Sequence, residues 1–118
     1  MEKIGNPVLD NVLLKLNQAF GKTKAPIWRT VIEELSKAKS KRRHVNLGKI
    51  SRLTKKGDVI LVPGKVMAGG TLTHSLVIGA YSYSQNALKS ISKARGKALL
   101  LVRFVDEYTD GEGVKLIG

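Results

Sequence analysis

The chain has 118 residues, of which 42% are apolar and only 5% aromatic, and 21 Lys and Arg stand against 9 Asp and Glu for a formal net charge of +12. That length suits one domain with an aliphatic core, and that charge calls for a polyanion, nucleic acid first and an anionic membrane surface second. With no cysteine a disulfide framework and thiolate zinc or iron–sulfur sites are excluded, and the longest apolar run, Ala98 to Val102, is far short of a membrane span.

Residues Met1 to Pro7 hold no apolar run of the signal-peptide kind, so a cytoplasmic protein is expected. A first helix should start at Pro7 with Asn6 as its cap, because proline loses nothing at the first helical position. Leu9, Val12, Leu13, Leu16 and Phe20 recur at helical spacing, and Gly21 is expected to end the helix. A second helix should start near Pro26 with the stripe Trp28, Val31, Ile32 and Leu35, and Glu33 is placed to pair with Lys37.

The character then changes. Lys37, Lys39, Lys41, Arg42, Arg43, Lys49, Arg52, Lys55 and Lys56 follow one another with no acid between them. Val45, Leu47, Ile50 and Leu53 are interleaved, so the segment can anchor on a core while its cations face outward.

Beyond it, Asp58 to Pro63 reads as a buried strand, and Gly64 to Gly70 as a glycine-punctuated loop or bent strand. Leu76 to Tyr83 reads as a second strand. Ser84 should cap a third helix with Ala87, Leu88, Ile91 and Ala94 inward and Lys89, Lys93 and Arg95 toward solvent, closed by Gly96. Lys97 to Val105 is expected to be a third strand, Asp110-Gly111 a turn, and Val114 to Ile117 a short strand pairing back. Between Lys37 and Arg103 there are fifteen Lys and Arg and one acid, Asp58, whereas Asp106, Glu107, Asp110 and Glu112 crowd the last turn as a solvated hairpin tip.

Catalytic patterns fail one by one. His44 and His74 have no acid nearby in sequence, and Ser75 beside His74 is adjacency rather than a triad. Asp106 to Gly113 lacks the alternating oxygen ligands of a calcium loop. Gly64-Lys65-Val66 lacks both the upstream glycine and the hydroxyl residue of a nucleotide-binding loop. Gly64, Gly69 and Gly70 can let backbone N–H groups approach a phosphate, or serve turns that need positive φ. No enzyme, cofactor, metal or small-molecule substrate is expected.

Nucleic-acid binding survives. Lys and Arg at phosphates release counterions, and Arg42 and Arg43 can each fork onto a phosphate. The candidate contact residues are Lys37, Lys39, Lys41, Arg42, Arg43, His44, Lys49, Arg52, Lys55, Lys56 and Lys65. A DNA-reading helix-turn-helix frame is not evident. Tyr81 and Tyr83, two apart on one strand, either stack bases on a shared face or pack in the core, and packing is favoured.

Val45 to Ile50, Gly57 to Val66, Gly69-Gly70-Thr71-Leu72 and Ala80-Tyr81-Ser82-Tyr83-Ser84, together with the Asn6-Pro7 opening and Trp28-Arg29, resemble the archaeal and eukaryotic large-subunit ribosomal family L-eighteen-e, a relative of the bacterial L-fifteen family. The resemblance covers nearly the whole chain, and the short length matches archaeal members. Two positions depart from the family pattern: Tyr83 stands where a Phe is expected, and Ser75 where a Lys is expected after His74. The resemblance implies a mixed α/β fold, with an irregular β-β-α core over residues 45–118 and an N-terminal helical extension with a basic arm over 1–44. It also implies a structural role in the large ribosomal subunit, with ribosomal RNA and neighbouring ribosomal proteins as partners and no membrane contact. A free-standing nucleic-acid-binding or regulatory protein is the alternative.

Overall fold

The computed structural model describes residues 7–37 and 43–117. The expected Asn6 cap and the candidate contacts Lys39, Lys41 and Arg42 lie outside the described residues.

Helix α1 runs from Pro7 to Thr23 and helix α2 from Pro26 to Leu35. Val12, Leu16 and Ala19 of α1 and Trp28, Val31 and Leu35 of α2 are buried, at the three- and four-residue spacing that puts them on one side of each helix. Gly21 does not end α1. The chain continues to Thr23, and Lys24 takes the left-handed conformation at φ 59°, its N–H donating to the Phe20 carbonyl at 2.7 Å. That is the single-bond αL stop usually made by glycine; the lysine adds a charge that suits the negative end of the helix. Lys37 pairs with Glu34 at 2.9 Å, while Glu33 pairs with Arg29, so the expected Glu33–Lys37 pair is replaced by two others.

The basic segment holds two elements the sequence reading did not separate: strand β1, Arg43–Asn46, and helix α3, Leu47–Leu53. Asn46 leaves the strand extended, and its side-chain oxygen accepts the Lys49 N–H at 2.9 Å, capping α3. Strand β2 (Val59–Met67) passes through Pro63 and Gly64, strand β3 is Val77–Tyr83, and helix α4 is Gln85–Lys93. Strand β4 (Lys97–Leu100), helix α5 (Leu101–Glu107) and strand β5 (Val114–Leu116) complete the chain.

Two expectations change here. The apolar run after Lys97 is strand only to Leu100; Leu101, Phe104 and Val105 are buried at helical spacing on α5. The last strand lies parallel beside β2, Val59 to Leu61 against Val114 to Leu116, so the acids before it are the end of α5 and a loop, not a hairpin tip.

All strand pairs are parallel, in the order β1-β2-β3-β4. The later half of β2 pairs with β1 and the earlier half with β5, so two short strands share one edge. The β2–β3 register shifts between Val62 and Lys65. Pro63 sits at that irregularity, where the lack of an N–H is tolerated in an interior strand.

Alternation along the strands builds two cores. Ile60, Val62, Val66, Ile78 and Ala80 face Leu47 and Ile50 of α3, Ala87 and Ile91 of α4, and Leu72 and Leu76 of the loop between β2 and β3. Leu61 and Leu99 face Leu16, Trp28, Val31, Leu35, Leu101 and Phe104 on the other side. The fold is therefore mixed α/β, with α3 and α4 on one face of a parallel sheet and α1, α2 and α5 on the other.

The register shift also separates the two tyrosines. Tyr81 packs with the α1/α2/α5 cluster and Tyr83 with the α3/α4 cluster, so they do not share a face.

Candidate nucleic-acid interface

The middle cations are held by apolar anchors. Val45, Leu47 and Ile50 are buried, with Leu47 and Ile50 fully so. Each such side chain contributes about 1.5–3 kcal/mol, against about 0–1 kcal/mol for an exposed ion pair, so packing positions this segment. Leu53, expected among the anchors, is 54% exposed at the end of α3. Arg52 is exposed in the last turn of α3, Lys49 is half-buried in its first, and Lys55 and Lys56 are exposed just beyond it.

A tight turn fixes the two lysines. Gly57 adopts φ +86° and donates its N–H to the Ser75 carbonyl at 2.9 Å. Asp58 Oδ2 accepts the Lys55 N–H at 3.0 Å and the Lys115 ammonium at 3.1 Å. These donors, the backbone one foremost, hold the Asp58 carboxyl below its ordinary pKa. The one acid of the basic region thus braces the turn and ties it to β5.

The loop between β2 and β3 is tied to α3 at two points. The Gly48 N–H donates to the Gly69 carbonyl at 2.7 Å, and a Cβ on Gly70 would lie 2.5 Å from the Gly48 Cα. Gly70, at φ +80°, therefore serves both a positive φ and the contact of two backbones. A hydroxyl chain makes the second tie. Thr54 Oγ1 donates to the Ile50 carbonyl at 2.7 Å, so its oxygen accepts from His74 Nε2 at 2.8 Å, which must carry a proton. His74 Nδ1 meets Thr73 Oγ1 at 3.1 Å, and Thr73 Oγ1 meets Ser51 Oγ at 3.0 Å. Both ring nitrogens of His74 are thus engaged by hydroxyls that hold the loop, with no carboxylate among their partners.

The remaining candidates fall elsewhere. His44 and Lys65 are register partners on β1 and β2, with Ser82 of β3 next in the row. Their neighbours Val45 and Val66 point into the α3/α4 cluster, so alternation places His44 and Lys65 on the opposite face of the sheet from α3. His44 is exposed and Lys65 half-buried. Arg43 lies on β1 opposite Gly64, and Lys37 is engaged by Glu34. The structure therefore brings Lys49, Arg52, Lys55 and Lys56 together and sets His44 and Lys65 apart from them.

Helix α4 adds cations the candidate set left out. Lys89, Lys93 and Arg95 are exposed on the same layer as α3. Its inward face is narrower than expected: Ala87 and Ile91 are buried, Ala94 packs against them, and Leu88 is 44% exposed. The helix ends in a Schellman motif, Gly96 N–H to the Ile91 carbonyl at 2.9 Å and Arg95 N–H to the Ser92 carbonyl at 3.0 Å. The left-handed position is Arg95 at φ 63°, one residue before the glycine expected to hold it. One sequence signal marks this second set: no Asp or Glu occurs between Asp58 and Asp106.

Ion pairs concentrate on the other layer. Lys15 with Asp106 at 2.7 Å, Arg29 with Glu33, Lys37 with Glu34 and Lys97 with Glu107 all involve α1, α2 or α5. On the α3/α4 side, Asp58 pairs with Lys115 at 3.1 Å. The α1/α2/α5 face of the sheet is thus rich in internal ion pairs, and the other presents many cations and few acids.

Tyr83 belongs to the core. Its single hydroxyl hydrogen is shared between the Ile78 carbonyl at 2.9 Å and the Leu99 carbonyl at 2.6 Å, and burial raises its pKa far above the ordinary phenol value. Among the described residues no three His, Asp or Glu side chains gather as a metal site, and no helix is long and apolar enough to cross a membrane.

No family model matches the chain. Individual proteins do. It is 39% identical over 103 residues to the large ribosomal subunit protein eL18 of Sulfurisphaera tokodaii, spanning 87% of each chain. It is 36% identical over 112 residues to that of Methanococcus maripaludis, covering 95% of this chain and 93% of the relative. It is 38% identical over 104 residues to that of Sulfolobus acidocaldarius, covering 87% and 88%. With identity at this level along nearly the full length of both partners, the chain belongs to the large ribosomal subunit protein eL18 family, a family of structural proteins rather than enzymes.

Proposed function

We propose that the chain is a structural constituent of the large ribosomal subunit in the cytoplasm, holding large-subunit ribosomal RNA through the cations of α3 and the turn that follows it. Neighbouring ribosomal proteins are its other partners. The observation that carries this reading is a short helix anchored by fully buried Leu47 and Ile50 that presents Arg52, Lys55 and Lys56 to solvent on a layer almost without acids. Cations held in no ion pair gain most from phosphate, because each contact releases condensed counterions. Kinship with eL18 proteins supplies the particle in which that phosphate resides.

The test is binding of the full chain to a large-subunit ribosomal RNA transcript over a series of salt concentrations. Replacing Arg52, Lys55 and Lys56 by Ala should weaken binding and flatten the log–log salt dependence by about 0.7–0.9 for each phosphate contact removed. An unchanged slope would remove α3 and its turn from the contact surface.

A further inference from the structure

The loop between β2 and β3 and the second half of α4 enclose an open groove of about 400 Å³, lined by Gly70, Thr71, Leu72, Thr73, Ser90, Lys93 and Ala94. We propose that this groove is a second seat for the RNA backbone, in which Lys93 meets a phosphodiester and the Thr71 and Ser90 hydroxyls bond the same phosphate or its ribose. The inference rests on the RNA-binding reading above and extends it to a part of the chain outside the candidate set.

Four observations carry it. The groove is lined by hydroxyls and one ammonium and by no acid, and no Asp or Glu occurs anywhere from residue 59 to residue 105. Lys93 is exposed, and no ion pair engages it among the described residues. The loop backbone turns at Gly70, φ +80°, and no hydrogen bond among the described residues takes up the N–H of Thr71 or Leu72. Successive N–H groups of this kind complement an anion. Finally, the groove wall is tied to α3. The loop that forms one wall is bonded to it through Gly48 N–H to the Gly69 carbonyl and through Ser51 to Thr73, which sets the groove beside the proposed α3 contact surface.

An ammonium supplies charge without fixed orientation, and the flanking hydroxyls can donate to phosphate oxygen or exchange hydrogen bonds with a ribose 2′-OH. The site therefore grips a backbone without reading a base.

The experiment uses the full chain and the same large-subunit RNA transcript. Lys93→Ala is compared with Lys22→Ala, which removes an equal charge from exposed α1 on the opposite layer. The expected result is that Lys93→Ala lowers the salt slope by about 0.7–0.9 while Lys22→Ala leaves it unchanged. The double variant Thr71→Val with Ser90→Ala should weaken binding several-fold at fixed salt and leave the slope as it was, because neutral contacts release no counterions. Equal losses from Lys93→Ala and Lys22→Ala would show net charge acting without a seat and would overturn the groove. A slope unchanged by Lys93→Ala but lowered by the α3 triple variant would overturn the groove and leave the α3 surface standing. No change in either would remove both.

Discussion

The ring of Phe104 packs directly against Gly79: a Cβ added to Gly79 would collide with the Phe104 Cδ1 and Cγ. This contact lets α5 settle on β3. The ring has little room to move, because Trp28 meets it edge-on with centroids 6.4 Å apart, Tyr108 lies 4.8 Å away, and the Trp28 indole is itself held by the Thr109 carbonyl at 2.7 Å.

Gly79→Ala should therefore destabilise the protein as an overpacked core does, by about 1–3 kcal/mol. Urea unfolding of the two proteins measures it. Equal midpoints would mean that α5 can lift from the sheet at no cost.

Tyr83→Phe restores the residue expected at this position from the family pattern and removes only a hydroxyl. That hydroxyl is shared by the Ile78 and Leu99 carbonyls, on adjacent strands β3 and β4. The loss should be about 1 kcal/mol, read from the same unfolding curves, with RNA affinity unaffected. A large loss of RNA affinity would instead return Tyr83 to the binding surface.

Asp58 gives the protein a defined acid sensitivity. Its carboxyl is held below the ordinary range by the Lys55 N–H and then the Lys115 ammonium. A carboxylate with a depressed folded-state pKa contributes stability above its unfolded-state pKa and loses it as pH falls through the folded value. Asp58→Asn keeps an acceptor for Lys55 and removes the charge. Stability followed from about pH 6 to 2 should fall less steeply in the variant than in the parent, and identical acid limbs would leave Asp58 without a role.

Arg95 occupies a left-handed position where glycine is the usual residue. Arg95→Gly should raise stability by up to about 1 kcal/mol, the relief of the left-handed strain exceeding the entropy cost of glycine. A lower midpoint would show that the arginine side chain holds the end of α4.

Much of this was legible in the residues. Pro7 and Pro26 announced their helices, Ser84 its cap, and the stripe Trp28, Val31, Leu35 its buried face, because each signal is local. The strand β1 and helix α3 were hidden inside the basic run, although Asn46 three residues before the N–H of Lys49 and the pair Leu47, Ile50 form a short capped helix. The run from Ala98 to Val105 was ambiguous for a physical reason: a short apolar stretch satisfies strand and helix spacing alike, and only contact with Gly79 and Trp28 decides for a helix beyond Leu100. The parallel docking of β5 beside β2 and the register shift at Pro63 depend on partners far along the chain, so no local pattern encodes them. For the candidate interface, the cations of α3 stood out by density. Those of α4 did not, and their significance appears once the fold sets them on the same layer.

On the proposed function, the α3/α4 layer meets RNA. A structure of the assembled large subunit containing this chain tests it most directly. Phosphate oxygens are expected within about 4 Å of the charged groups of Arg52, Lys55 and Lys56, on the layer opposite α1 and α2. Those three side chains facing open solvent, with the RNA lying instead against α1 and α2, would contradict it.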